Sequence, residues 1–378
     1  MTDKKDLLNR SILEIGQALR DGSARAEDVI EAAVDRHDRL DGQLMAYKHF
    51  DGDRALKEAR ATDALIAAGL DTGVMMGIPF SAKDIFGVKG MPTCAGTPAE
   101  LPEKWQSEGP AVKALRSGLA IATGKTHSVE FAFGGVGPGA HWDTPRNPWD
   151  GAEHRVTGGS SSGAGVSIQQ GSAFIALGTD TGGSVRIPAS VTGSVGLKVT
   201  IDRWSTDGIV PLSSSFDTPG LMTRTVTDAA LAFALIDGDE DGPEAFLAWA
   251  DGMEARDLRL AICDEHFWDD CSPGIAEGVK GAIDELTKKG ARLNRLAFPE
   301  ATDARARFVR ASLFGVEGRS FVDEEYPDRL ATLDSNIKAR FDLAVEVSAV
   351  DYFTEQRQIQ RLAAEVDEKL RHVDVLVA

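Results

Sequence analysis

Residues 157–188 read TGGSSSGAGVSIQQGSAFIALGTDTGGSVRIP. Two Gly/Ser blocks, at 157–165 and 178–184, enclose an apolar run of Val166, Ile168, Phe174, Ile175 and Leu177. Alone, such a block reads as a flexible linker. Here the first runs straight into core-forming residues and the second follows at once, so both loops belong inside a fold. Glycine serves where the backbone takes positive φ or approaches a ligand closely. Thr181, Gly182, Gly183 and Ser184 are therefore expected to turn consecutive amide N–H groups toward one point, which is how an anion or oxyanion is held. Ser184, closing that nest, is a candidate nucleophile. Asp180 and Arg186 flank it and read as a buried pair bracing the loop, rather than as catalysts.

Outward from this segment, short apolar runs alternate with Gly and Ser clusters from Gly77 to about Arg224. Gly118–Gly124 and Phe174–Leu177 read as buried strands. Before them lies an N-terminal helical layer, residues 1–70. Leu7, Leu8, Ile12, Ile15 and Leu19 predict a helix over 6–21, and Ser23 is expected to cap a second helix carrying Val29, Ile30, Ala33 and Val34. A third helical pattern runs through Ala55–Leu70. After the core, residues 71–235, comes a helix-and-strand part, residues 236–378. From about Thr227 helices return, at 227–236, 273–289, 303–316 and 340–371, with strands between them at Leu258–Cys263 and Val373–Val377. The alternation predicts an α/β fold, a central mixed sheet covered by helices on both faces.

The 378 residues are 42% hydrophobic and 26% charged, which excludes disorder and collagen. With 41 Lys and Arg against 59 Asp and Glu, the net charge is −18. Such a surface repels phosphate backbones, so no nucleic-acid partner is expected; dense basic clusters go no further than lysine pairs such as Lys4–Lys5. Three scattered cysteines, Cys94, Cys263 and Cys271, make no disulfide framework and fit a reducing cytoplasm. The N-terminus has no apolar signal core, and no stretch approaches the roughly 18 apolar residues of a membrane span.

Three motifs fail on inspection. Gly118–Thr126 resembles a phosphate-binding loop, but five residues separate its glycines where four are needed. Asp237–Gly242 starts like a calcium loop, yet the twelfth position is Ala248 instead of a bidentate acid. The seven histidines show no paired metal spacing. Gly159-Ser-Ser161-Ser-Gly163 also fits a nucleophile elbow with Ser161 as nucleophile. That reading needs a buried strand just before it, and residues 150–156 are polar.

Several ordered motifs together resemble the amidase signature family. They are Gly77-Ile-Pro-Phe-Ser-Ala-Lys83-Asp84, Gly158-Gly-Ser160-Ser-Ser-Gly163, Ala176 through Ala189, Gly193-Ser-Val-Gly-Leu-Lys198, Asp217-Thr-Pro-Gly220 and Thr223 through Ala230. The resemblance is strong over about residues 10–235 and fades afterwards. It implies a Ser–cis-Ser–Lys triad that hydrolyses a carboxamide C–N bond without cofactor or metal. Ser184 would be the nucleophile, Ser160 the bridge after a cis peptide, and Lys83 the general base and acid. It also implies that Glu130-Phe-Ala132-Phe133-Gly134-Gly135 lines the acyl pocket; core aromatic packing is the other reading. The chemistry is sound in itself. A lysine near its ordinary pKa of about 10.4 is no base at neutral pH, but burial disfavours its charged form. Lys83 sits between Ile78-Pro-Phe80 and Ile85-Phe86, which predicts burial over a surface pair with Asp84.

Ser162, Thr157 and Val199 depart from residues common in the family and bear on loop rigidity. The resemblance also implies further C-terminal sheet beyond Val373–Val377, so the chain reads as lacking the usual C-terminal segment. The implied ligand is a small-molecule amide. The N-terminal helices make a homodimer an expectation. The alternatives are a glutamine amidotransferase A-type subunit, working with partner subunits, and a non-catalytic amide- or carboxylate-binding relative.

Overall fold

The computed structural model describes residues 7–263, 266–311 and 313–378, so Lys4–Lys5 and the start of the first expected helix lie outside the described residues. Helix α1 (Ile12–Arg20) begins at Ser11, whose hydroxyl accepts from the Glu14 amide while the Glu14 carboxylate accepts from the Ser11 amide. This reciprocal cap satisfies two donors that a helix start leaves open. Helix α2 (Ala26–Leu44) corrects the expectation at Ser23: its N-cap is Arg25, which makes no side-chain cap. The amides of Ala26 and Glu27 donate instead to the two oxygens of Asp63, at 2.7 and 3.1 Å. Asp63 belongs to α3 (Gly52–Ala67), which follows β1 (Tyr47–Phe50). The cap is tertiary, so a local reading misses it.

The elements of the core follow in order: β2 (Pro79–Lys83), α4 (Pro110–Ser117), β3 (Ile121–Thr126), α5 (Ala164–Gln170), β4 (Ile175–Thr179), α6 (Arg186–Thr192), β5 (Val195–Lys198), β6 (Pro219–Thr223) and α7 (Val226–Asp237). The two strands expected from apolar runs are β3 and β4. The phosphate-loop look-alike is no loop, because Gly124, Lys125 and Thr126 are all in β3. Six strands form one sheet in the order β1-β3-β2-β4-β6-β5. Strand β2 is parallel to β3 and β4; β1 and β6 run antiparallel to their neighbours, so the sheet is mixed. It is flanked by helices, as the alternation predicts.

Alanines bring α5 and α6 close to the sheet: Ala164, Ala176 and Ala189 pack with Ile168, Val185 and Met222, all buried. Because β2 and β4 are parallel, with Ala82 opposite Leu177, their carboxyl ends finish side by side. Loops leaving those ends are where such sheets place ligand sites.

The chain divides into two compact units, Met1–Leu247 with Glu317–Phe341, and Ala248–Val316 with Asp342–Ala378. After α7 come α8 (Pro243–Asp251), β7 (Arg259–Ile262), α9 (Ile275–Lys288), β8 (Arg292–Arg295), α10 (Pro299–Ala311), α11 (Leu313–Glu325), α12 (Ser335–Val345), α13 (Ala349–Leu370) and β9 (Val375–Val377). The strands expected near 258–263 and 373–377 do not join the central sheet. They pair in parallel with each other, and β8 completes a separate sheet of order β8-β7-β9. Strand β8, Arg-Leu-Asn-Arg, is exposed and polar, so no apolar run announces it. The helix expected over 340–371 is two helices, parted where the Ser348 hydroxyl accepts from the Asp351 amide and starts α13. The helix expected at 303–316 is helical over its described residues, in α10 and α11; residue 312 lies outside the described residues. No described helix is long and apolar enough to cross a membrane.

Candidate active site

Lys83 ends β2, a strand buried along its whole length, and its side chain is fully buried. Asp84 follows in the turn after β2 and has partners of its own. Asp84 accepts from the Cys94 amide and pairs with buried Lys125 at 3.4 Å, so it is no partner for Lys83. Lys83 Nζ instead donates to Ser160 Oγ at 2.7 Å and to Thr179 Oγ1 at 2.9 Å. Burial lowers its pKa from 10.5 to about 7, against the opposing pull of the Asp217 and Asp180 charges. A primary amine with that pKa is substantially neutral at physiological pH, and a neutral amine takes protons.

The first Gly/Ser block supplies Ser160, fully buried, after a cis Gly159–Ser160 peptide. Its carbonyl accepts from the Val129 amide at 3.0 Å, and the Gly159 amide donates to the Gly135 carbonyl at 2.9 Å. Ser161 is also fully buried, with its hydroxyl on the Thr179 carbonyl. Residues 127–160 contain no strand, so none runs directly into Ser161 as a nucleophile elbow requires.

The second block turns around Asp180. One Asp180 oxygen accepts from the Gly183 amide at 2.7 Å and from Arg186 Nη2 at 2.9 Å. The other accepts from the Val185 amide and from the Arg186 amide and Nε. Burial alone would raise the Asp180 carboxyl, but these bonds and the Arg186 charge hold it below its ordinary value. Gly183 has φ +124°, a value that side-chain-bearing residues rarely adopt. The Gly183 amide is thus committed to Asp180, which departs from the expectation of four free donors. Among the described residues the amides of Thr181, Gly182 and Ser184 have no hydrogen-bond acceptor. Gly182 is exposed and Ser184 is 9% exposed, so these donors stand at an accessible edge. The Ser161 amide donates to the Ser184 carbonyl at 3.3 Å and ties the two blocks together. The described hydrogen bonds do not include one between the Ser160 and Ser184 hydroxyls.

Two partners escape sequence reasoning. Thr179 faces Lys83 only because β2 and β4 are parallel and in register. Asp217 lies in a quoted motif without an assigned role; it accepts from Thr181 Oγ1 at 2.5 Å and from the Leu212 and Ser213 amides. That loop is held in turn by Glu317, whose Oε2 accepts from the Ser213 and Ser214 hydroxyls and the Ser215 amide, at 2.9–3.0 Å.

Beyond the Ser160 loop, Phe133 and Gly134 line a cavity of about 470 Å³ together with Val129, Glu130, Ile337 and Arg340. Ala132 is buried and is not one of its lining residues. Phe131 and Ala132 take φ of +46° and +59°, turning the chain so that Phe133 and Gly134 reach the cavity wall.

The model of the Amidase family matches residues 28–378. The chain is 46% identical to 2-amino-5-chloromuconic acid deaminase of Comamonas testosteroni, over 97% of this chain and 79% of that protein. It is 35% identical to a glutamyl-tRNA(Gln) amidotransferase subunit of Thermobifida fusca, over 80% of this chain, and spans 62% of that protein's length. A crystal structure of an amidase superposes with a TM-score of 0.85 at 28% identity, covering 97% of this chain and 81% of the other. The family match begins in α2 and runs through both serine blocks to the last strand, and it is this continuity that makes the chain a member of the amidase family, hydrolases of amide carbon–nitrogen bonds.

Proposed function

We propose that this chain hydrolyses a small carboxamide through an acyl-enzyme on Ser184. The supporting observation is the 2.7 Å contact between Lys83 Nζ and Ser160 Oγ, with both groups fully buried. Neutral Lys83 takes the Ser160 proton as Ser160 takes that of Ser184. Ser184 Oγ bonds to the amide carbon, and the carbonyl oxygen becomes an oxyanion received by the amides of Thr181, Gly182 and Ser184. The C–N bond breaks, and the proton returns from Lys83 through Ser160 to the departing nitrogen. Water then repeats the route and releases the acid. The Ser160–Ser184 hydroxyl contact completes itself when substrate is bound, as catalytic hydrogen bonds of empty sites commonly do. Identity of 46% to a deaminase supports ammonia as the nitrogen product.

The test is intact mass after a serine-directed fluorophosphonate, on wild type and Ser184→Ala. One adduct on wild type that is absent from the variant is the expected result. A folded wild type that takes no adduct overturns the reading.

A further inference from the structure

Arg340 is a cation beside the site with no carboxylate partner among the described residues. Lys125 is paired with Asp84, and Arg186 with Asp180. Lys83 is held by two hydroxyls. Arg340 lines the 470 Å³ cavity from α12, and its one hydrogen bond among the described residues runs from Nη1 to the Phe133 carbonyl at 2.6 Å. Its guanidinium also lies 5.5 Å from the centre of the Phe133 ring. Bond and ring contact fix the fork on the cavity wall and leave most of its five donors open.

The two carboxylates that share the cavity are engaged elsewhere. Glu130, 4% exposed, accepts from the Asp334 amide at 2.7 Å and lies 3.1 Å from His141 Nε2. Asp334 accepts from the Asn336 and Ile337 amides at the start of α12. The rest of the wall is largely apolar, with Val129, Phe133 and Ile337 among its lining residues. Val129 donates to the Ser160 carbonyl, so this wall is continuous with the site.

We propose that Arg340 binds a carboxylate of the substrate, so that the chain acts on small amides of carboxylic acids, with a short carbon spacer lying on Val129 and Phe133. This rests on the Ser184 reading for the reaction and adds the substrate class. A planar fork matches a carboxylate with two parallel bonds, and in a largely apolar cavity such a pair discriminates strongly.

The test compares kcat/KM for ammonia release from succinamate and glutaramate with that from their methyl esters, in wild type, Arg340→Gln and Arg340→Lys. Glutamine keeps a donor for the Phe133 carbonyl and removes the charge. Wild type is expected to favour the acids by about 30-fold or more, Arg340→Gln to bring that ratio to about 1 mainly through KM, and Arg340→Lys to fall between. Glutarate binding, measured by calorimetry, should weaken about 10- to 100-fold in Arg340→Gln. A ratio retained in Arg340→Gln overturns the proposal, as does a wild type that shows no preference and binds no glutarate. Fluorophosphonate labelling separates the two readings. Labelled Ser184 without acid preference sinks the carboxylate assignment alone, whereas Arg340-dependent glutarate binding on an unlabelled chain sinks the acyl-enzyme and leaves the carboxylate site standing.

Discussion

Lys83 and Ser160, 77 residues apart in sequence, meet through a 2.7 Å hydrogen bond in a fully buried setting. The relation has two consequences: the lysine is discharged near neutral pH, and a hydroxyl is the group it can exchange a proton with.

The pH dependence of turnover follows from the first. With a pKa near 7, Lys83 is the active neutral amine above that pH and the inactive ammonium below it. The rate constant kcat/KM is expected to rise with pH about tenfold per unit below 7 and to level off above it. Lys83→Ala and Lys83→Arg should each lose about 10³- to 10⁴-fold, since a guanidinium keeps its proton. A flat profile between pH 5.5 and 8, measured by ammonia release, contradicts this assignment.

Stability carries the same signature. Below pH 7 the folded chain holds a buried charged Lys83, and the cost is fully present. Between about 7 and 10.4 the unfolded chain binds more protons than the folded one, so stability rises with pH. Above that range both states are neutral and the cost is gone. Lys83→Met should therefore be more stable than wild type at pH 6, by something on the order of several kcal/mol, with the gain shrinking toward pH 10. Thermal melts of both proteins across that range check the sign. A pH-independent difference refutes it.

Asp180 organises the nest. Asp180→Ala removes the acceptor of the Gly183 and Val185 amides and of Arg186, and is expected to cost about 2–4 kcal/mol in urea unfolding. Asp180→Asn should cost less stability and still lower kcat about 100-fold, with KM little changed, because the remaining donors lose their aim at the oxyanion. An effect confined to KM would show that the loop serves binding alone.

Gly163 tests packing behind the first block. A Cβ there would lie 2.0 Å from the Ala46 carbonyl oxygen and 2.7 Å from the His127 amide nitrogen, both backbone atoms. Neither can swing aside. Gly163→Ala should cost about 1–3 kcal/mol or more, measured as a lowered urea midpoint. An unchanged midpoint would mean that the loop shifts freely.

Glu317 acts at a distance, through the 212–217 loop and Asp217 on Thr181. Glu317→Ala is expected to lower kcat about tenfold, with Glu317→Gln retaining most of the rate, because an amide oxygen still accepts from Ser213, Ser214 and Ser215. Equal losses in the two variants would argue for the charge over the hydrogen bonds.

The features legible along the chain are local and periodic. The alternation of apolar runs and helical stripes marked an α/β fold. Consecutive glycines and serines marked two loops, and the neighbours of Lys83 marked it as buried. Those signals lie within a few residues of one another, where turn chemistry and side-chain period act. Tertiary structure settled what depends on register and on distant approach. It brought Thr179 to Lys83 by aligning two parallel strands and committed the Gly183 amide to Asp180. It also capped α2 with Asp63, and paired a polar strand, β8, with apolar β7 in a separate sheet. The cavity combines Phe133 with Arg340, 207 residues later, and the nest leans on Glu317, more than 100 residues beyond the loop it holds. Hydrogen bonds across such separations leave no period in the sequence, because the energy that selects them exists only once the sheet has closed and water has left.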